Sequence, residues 1–388
     1  MNFRKITSGR LMTGLSFGAM FFLGLGVTIV GAAAQNAGIS AGEVGILLTV
    51  QNIGFLLSVA LAGGLADRYS MTRVLALGSV ILAAGFGGFY LGQTFLINAV
   101  FMFLVGVGIG SYEGVTDALI IVLQPHRQSF FVNVNHFFVT LGSLIITLYL
   151  IFLQMAWRLS MTQAAIAVAL LALFFAFSEV PKDKRKSPGR EGDSAAGEPL
   201  RLSPALFLLL LAMICAVGLE LGSIALLTTY LVELRGFNEV TSKVGLLLFI
   251  GGVGIGRTTL AALIRDATVE RWVLGFFVLA IIATALLYTV APTTLLYILA
   301  PVAGMTVSVL LPSIIVLAGR WFPHQAGTAI GLVKLGIPLG GIFLPLLLAL
   351  ATQVLTLQKA LFIFPLTAAL GGLSVLYFVV PHDRCPTG

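Results

Sequence analysis

VPKDKRKSPGREGDSAAGEPLRLS, residues 180–203, is the one long polar segment in a chain of 388 residues that is 59% hydrophobic and 10% charged. Mixed charges with Pro, Gly and Ser cannot bury enough apolar surface to fold, so the segment reads as a flexible linker. Outward from it the chain is apolar in both directions, and a mean hydropathy of +1.06 excludes an ordinary soluble domain. Apolar runs of about 20 residues, enough helix to cross a hydrocarbon core of about 30 Å, recur at 11–34, 44–66, 74–93, 97–122, 129–154, 158–179, 204–231, 240–264, 272–290, 293–318, 326–352 and 358–380. Six precede the linker and six follow it. The expected fold class is an all-α membrane protein of twelve transmembrane helices in two six-helix halves, residues 1–180 and 204–388, joined by residues 181–203.

The N-terminal MNFRKITSGR followed by an apolar run to GAAAQ has the outline of a secretory signal. Its apolar run from Leu11 to Ala34 exceeds a signal core and leads into another span, so it is retained as the first helix. Cys215 lies inside a span and Cys385 in the tail, contexts that do not read as a structural disulfide. With both termini assigned to the cytoplasm, sixteen of the 22 Lys and Arg fall on that side and four outside, at Arg158, Arg235, Lys243 and Lys359. Arg257 and Lys334 fall within spans. This asymmetry satisfies the positive-inside rule for a bacterial-type inner membrane. The net charge of +7 then reflects topology and anionic lipid, and no nucleic acid is expected as a partner.

The two halves resemble each other. GEVGILL at 42–48 matches SKVGLLL at 242–248, Asp67 matches Asp266, and Pro125-His126 matches Pro323-His324, at offsets of 200, 199 and 198. Gly142 and Gly340, and His136 and Lys334, keep the offset of 198. Concordant offsets near half the chain length indicate an internal duplication. Parallel halves of this kind are the plan of a secondary transporter with a central site.

GGLADRYSMTR, residues 63–73, lies between spans 2 and 3. It resembles the signature of the major facilitator superfamily at that position, with Ser70 where glycine is usual. The resemblance covers essentially the whole chain and implies the major facilitator fold and alternating access. It also implies a conformational latch made by Asp67, Arg68 and Arg73 at helix ends. Within the superfamily, the acid at Glu113 followed by Asp117, NVNHFF at 133–138, GLE at 218–220 and GR at 256–257 are similar to the fucose/proton symporter branch of sugar porters. Position 117 is acidic where that branch carries an amide, and span 1 holds no acid.

Charged side chains at the bilayer centre cost at least about 2.5–3.5 kcal/mol, so they face a cavity and a partner. Five lie deep here: Glu113, Asp117, Glu220, Arg257 and Lys334. Glu113 and Asp117 share a helix face, with attachment points about 5–6 Å apart. Two carboxylates that close in a poorly hydrated site do not both ionise readily, so a proton or another cation is expected to join them. The alternative takes Asp117 out to the cytoplasmic interface and pairs Glu113 permanently with Arg257. Glu220, flanked by Gly218 and Gly222, is the third proton-coupling candidate and is expected to pair with Lys334 in at least one state. Three acids against two bases leave one carboxylate uncompensated, as a cation-coupled carrier requires. Gln35, Gln51, Asn52, Asn133, His136, Tyr230, Arg257 and Lys334 are the expected solute-binding groups, suited to hydroxyls and rings. Asn135 and Tyr112 add similar chemistry.

An enzyme is not expected: the sequence shows no phosphate loop, metal-ligand cluster, serine elbow or cofactor motif, and GVGIGR at 252–257 lies inside a span. The residues predict a monomeric secondary active transporter importing a small polar solute, with sugar the leading class, together with a proton or sodium ion. The competing prediction is a proton-antiporting exporter of drugs or other amphipathic compounds.

Overall fold

The computed structural model describes residues 7–91, 94–124, 128–153, 156–180, 203–260, 268–289, 293–322 and 326–379. The linker and the duplicated Asp266, Pro125-His126 and Pro323-His324 lie outside the described residues. Among the described residues the chain is helical and has no strand. The helices are α1 (Gly9–Ala37), α2 (Ala41–Arg68), α3 (Met71–Gly88), α4 (Phe95–Leu123), α5 (Gln128–Leu153), α6 (Trp157–Ala176), α7 (Pro204–Arg235), α8 (Glu239–Thr259), α9 (Val269–Thr289), α10 (Thr293–Ser308), α11 (Leu310–Trp321), α12 (Ala326–Lys334), α13 (Gly336–Val354), α14 (Leu357–Ala360) and α15 (Ile363–Val379). Among the described residues twelve segments are long and apolar enough to cross a membrane; α10 with α11, α12 with α13 and α14 with α15 form one each.

The last three spans were expected as continuous helices, and each is interrupted. Every break has the same cause. A proline has no N–H for the carbonyl four residues earlier, and its ring crowds that carbonyl. Pro312 acts so on Ser308, Pro338 on Lys334 and Pro365 on Leu361, and α10, α12 and α14 end at or one residue before those positions. Elsewhere the ends are capped locally. Ser8 accepts from the Leu11 N–H, and Gly38 closes α1 in the left-handed region at φ 66°. Ser40 and Glu43 form a reciprocal capping box at α2.

The chain divides into two compact units, one of Met1–Gly197 with Ile224–Leu247 and the other of Glu198–Ser223 with Leu248–Gly388. In the first, α2 packs on α4, α1 on α5, and α3 on α4 and α6. The α2–α4 crossing is a backbone contact: a Cβ on Gly106 would stand 1.8 Å from the Gln51 carbonyl oxygen, and one on Gly54 would stand 2.4 Å from that of Phe103. In the second unit the α8–α10 crossing repeats this arrangement. A Cβ on Gly304 would stand 2.1 Å from the Phe249 oxygen, and one on Gly252 would stand 2.1 Å from that of Pro301. All four residues of the first crossing map onto the second by adding 198. The duplication therefore extends to the packing.

Candidate ion and solute site

In the first unit, packing of α5 near α4 brings His136 to Asp117, 19 residues apart in sequence. His136 Nε2 lies 3.0 Å from Asp117 Oδ2, and Asn135 Nδ2 donates to Asp117 Oδ1 at 2.9 Å and to Thr116 Oγ1 at 3.1 Å. Asp117 is thus engaged by two side chains of α5. Glu113 stands one turn back on α4, and a carboxylate oxygen of Glu113, one of Asp117 and an imidazole nitrogen of His136 lie within 4.8 Å of one another. All three side chains are half-buried. Glu113 has no hydrogen bond or ion pair with any described residue. Asn135 is fully buried and its Oδ1 has no partner. The grouping is not visible in the sequence, because its members come from two helices.

Two of the other deep charges meet each other. In the second unit Arg257 Nη2 donates to both carboxylate oxygens of Glu220, at 2.6 and 2.8 Å. Arg257 and Glu220 are therefore an ion pair in this structure. Neither alignment nor spacing could choose among the pairings of these charges, since each is sterically open to a long side chain on a span. Lys334 is half-buried at the last residue of α12. A basic residue at a helix C-terminus is favoured by the helix dipole. Interrupted spans of this kind are a recurring way of building polar sites inside membranes.

The remaining solute candidates divide by how fully their polar atoms are used. Gln51 is buried and donates to the Gly26 carbonyl at 2.9 Å, leaving Oε1 without a partner. Gln35 Nε2 is likewise buried and unpartnered. Asn52 donates to the Leu48 carbonyl at 2.8 Å, and the buried Tyr230 hydroxyl accepts from Arg235 Nε at 2.6 Å, so both are partly occupied by structural bonds. Tyr112 is fully buried against Ser79. The Asn133 side chain lies outside the described residues. Thr229, which the sequence reading passed over, is fully buried with an unpartnered hydroxyl; its signal was the TTY of the seventh span. Lys243, counted in the sequence among the basic residues of the outer side, is 1% exposed and donates to Asn36 Oδ1, while the Asn36 amide donates to Glu239. The carboxylate and amide supply what a buried ammonium requires.

Around the expected latch, Arg68 and Arg73 are exposed, Arg68 lies over the Tyr69 ring at 5.4 Å, and the Asp67 side chain lies outside the described residues. Between α2 and α3, Ser70 adopts φ 147° and ψ 150°, and its hydroxyl accepts from the Arg73 N–H at 3.4 Å. That backbone conformation is essentially confined to glycine, which gives the departure from glycine at this position a physical cost.

No curated protein matches the sequence significantly. Among solved structures, a variant of the nucleoside transporter NupG is 13% identical, covering 96% of this chain and 100% of its own, with a TM-score of 0.78. A D-xylose-proton symporter is 15% identical, covering 95% and 97%, with a TM-score of 0.76. A variant of the E. coli fucose:proton symporter FucP is 17% identical, covering 95% and 99%, with a TM-score of 0.62. Likeness at such identities shows the fold alone. The sequence model of the Major Facilitator Superfamily matches residues 11–300, three quarters of the chain, and with the twelve spans and the duplicated crossing this makes the protein a member of the major facilitator superfamily of membrane transporters.

Proposed function

We propose that this transporter imports a small polar solute, with sugar the leading class, together with a proton carried by Glu113 and Asp117. The observation that carries the reading is the uncompensated carboxylate. Arg257 is taken up by Glu220, and Glu113 stands without a partner beside an Asp117 already bonded to His136 and Asn135. A lone carboxylate in a span is costly when ionised and much less so when protonated. Loading a proton therefore favours passage through the occluded state, which couples solute movement to the proton gradient.

The solute class is supported by neutral polar groups whose bonding is incomplete, namely Gln35, Gln51, Asn135 and Thr229. Buried unpartnered donors and acceptors cost about 1–3 kcal/mol each, a cost a hydroxyl-rich solute can relieve. The known activities of the xylose and fucose symporters and of NupG agree with a solute rich in hydroxyls. In this reading Arg257 and Glu220 form a fixed charge pair offering hydrogen bonds to solute. Lys334 and His136 are polar groups at equivalent positions of the two halves. The protein acts in the inner membrane as a monomer with both termini in the cytoplasm.

The test is uptake into proteoliposomes under an imposed inward proton gradient, with pentoses, hexoses, deoxyhexoses and nucleosides as solutes. Gradient-dependent accumulation of one class, abolished by a protonophore, supports the reading. Gradient-driven expulsion of amphipathic dyes without uptake of any of these solutes overturns it.

A further inference from the structure

The geometry points to a divalent cation site at Glu113, Asp117 and His136, taking a first-row transition ion such as Mn²⁺, Co²⁺ or Zn²⁺. Two carboxylate oxygens and an imidazole nitrogen converge from α4 and α5 within 4.8 Å of one another. With bonds of about 2.1 Å, tetrahedral ligands stand about 3.4 Å apart; His136 Nε2 and Asp117 Oδ2 already stand 3.0 Å apart, and rotation of the Glu113 side chain would bring in its oxygen. Two carboxylates with a neutral imidazole carry the charge a divalent ion cancels. Mixed oxygen and imidazole donors favour the first-row metals over Ca²⁺ or Mg²⁺.

An independent observation comes from Asn135. This side chain is 0% exposed, its nitrogen donates to Asp117 Oδ1 at 2.9 Å, and its carbonyl oxygen has no partner. A half-turn about the terminal torsion exchanges oxygen for nitrogen at nearly the same position. The amide oxygen would then face the ion beside Asp117 as a fourth donor. Glu113, which has no partner of its own, is the remaining arm. The binding step stands on this geometry. Its consequence, that a bound metal holds both carboxylates and arrests transport, rests on the proposed ion-coupling reading.

The experiment titrates the purified full-length protein in lipid nanodiscs with Co²⁺, following visible absorption and the number of ions bound. One saturable ion per chain is expected, with affinity falling about tenfold or more in Glu113→Gln, Asp117→Asn and His136→Ala and unchanged in Glu233→Gln, an exposed carboxylate on α7. His136→Cys supplies a readout that does not depend on loss: a thiolate-to-cobalt charge-transfer band absent from the unsubstituted protein places the ion at this position. No saturable binding, or binding indifferent to all three substitutions and no such band, overturns the site. Binding with these properties but with transport unaffected by Co²⁺ keeps the site and removes the coupling reading. Absent binding together with proton coupling that depends on Glu113 does the reverse.

Discussion

Arg257 holds both oxygens of Glu220 through a single guanidinium nitrogen, at 2.6 and 2.8 Å, and the charge balance of the intramembrane groups turns on this choice of partner. The Glu220 side chain is 11% exposed and that of Arg257 26%. Removing one member leaves the other ionised in a poorly hydrated place, a change that costs more than removing both.

Arg257→Gln should therefore lower stability by about 3 kcal/mol, read as a fall in unfolding temperature of the detergent-solubilised protein. The double change with Glu220→Gln should recover most of that loss. Lys334→Gln should cost less than Arg257→Gln, because Glu220 keeps its partner. Equal losses for Lys334→Gln and Arg257→Gln would show that the pairing is not the stable one.

Ser70→Gly should stabilise the protein. At φ 147° a residue with a side chain bears a strain of about 1–3 kcal/mol, whereas exchanging a serine cap for glycine loses only a few tenths. A net gain of about 1 kcal/mol is expected from these two terms. The measurement is the unfolding temperature, with Ser70→Ala as the comparison that loses the cap and keeps the strain. Glycine ranking at or below alanine would contradict the account.

Gly106→Ala and Gly304→Ala should be matched in effect, since each would place a Cβ about 2 Å from a carbonyl across an equivalent crossing. Overpacking of this kind costs about 1–3 kcal/mol and should appear as poor yield of folded protein. Gly14→Ala and Gly251→Ala, where a Cβ meets nothing within 4 Å, should be neutral or mildly stabilising. A tolerant Gly304 beside an intolerant Gly106 would separate the two crossings.

Much of the fold was legible because a bilayer admits few solutions: apolar length gave the twelve spans, and offsets of 198–200 gave the duplication. The interruptions in the last three spans were also written in Pro312, Pro338 and Pro365, but hydropathy averages over a proline and does not register it. The site was legible only in part. Glu113 and Asp117 follow from helical spacing, since four residues make one turn. That Asp117 meets His136 and Arg257 meets Glu220 depends on helix rotation and packing distance, which no spacing within one helix encodes. The burial of Lys243 was not legible for a related reason, because near a span end burial depends on what neighbouring residues offer, here Asn36.

The central claim, that Glu113 carries the coupling proton, is tested most directly by comparing Glu113→Gln with the unsubstituted protein in proteoliposomes, using the solute found to be transported. Glutamine mimics the protonated carboxylate, so solute-for-solute counterflow should persist. Accumulation driven by a proton gradient, and alkalinisation of the medium on solute addition, should both disappear. Accumulation and proton uptake unchanged in Glu113→Gln would contradict the account.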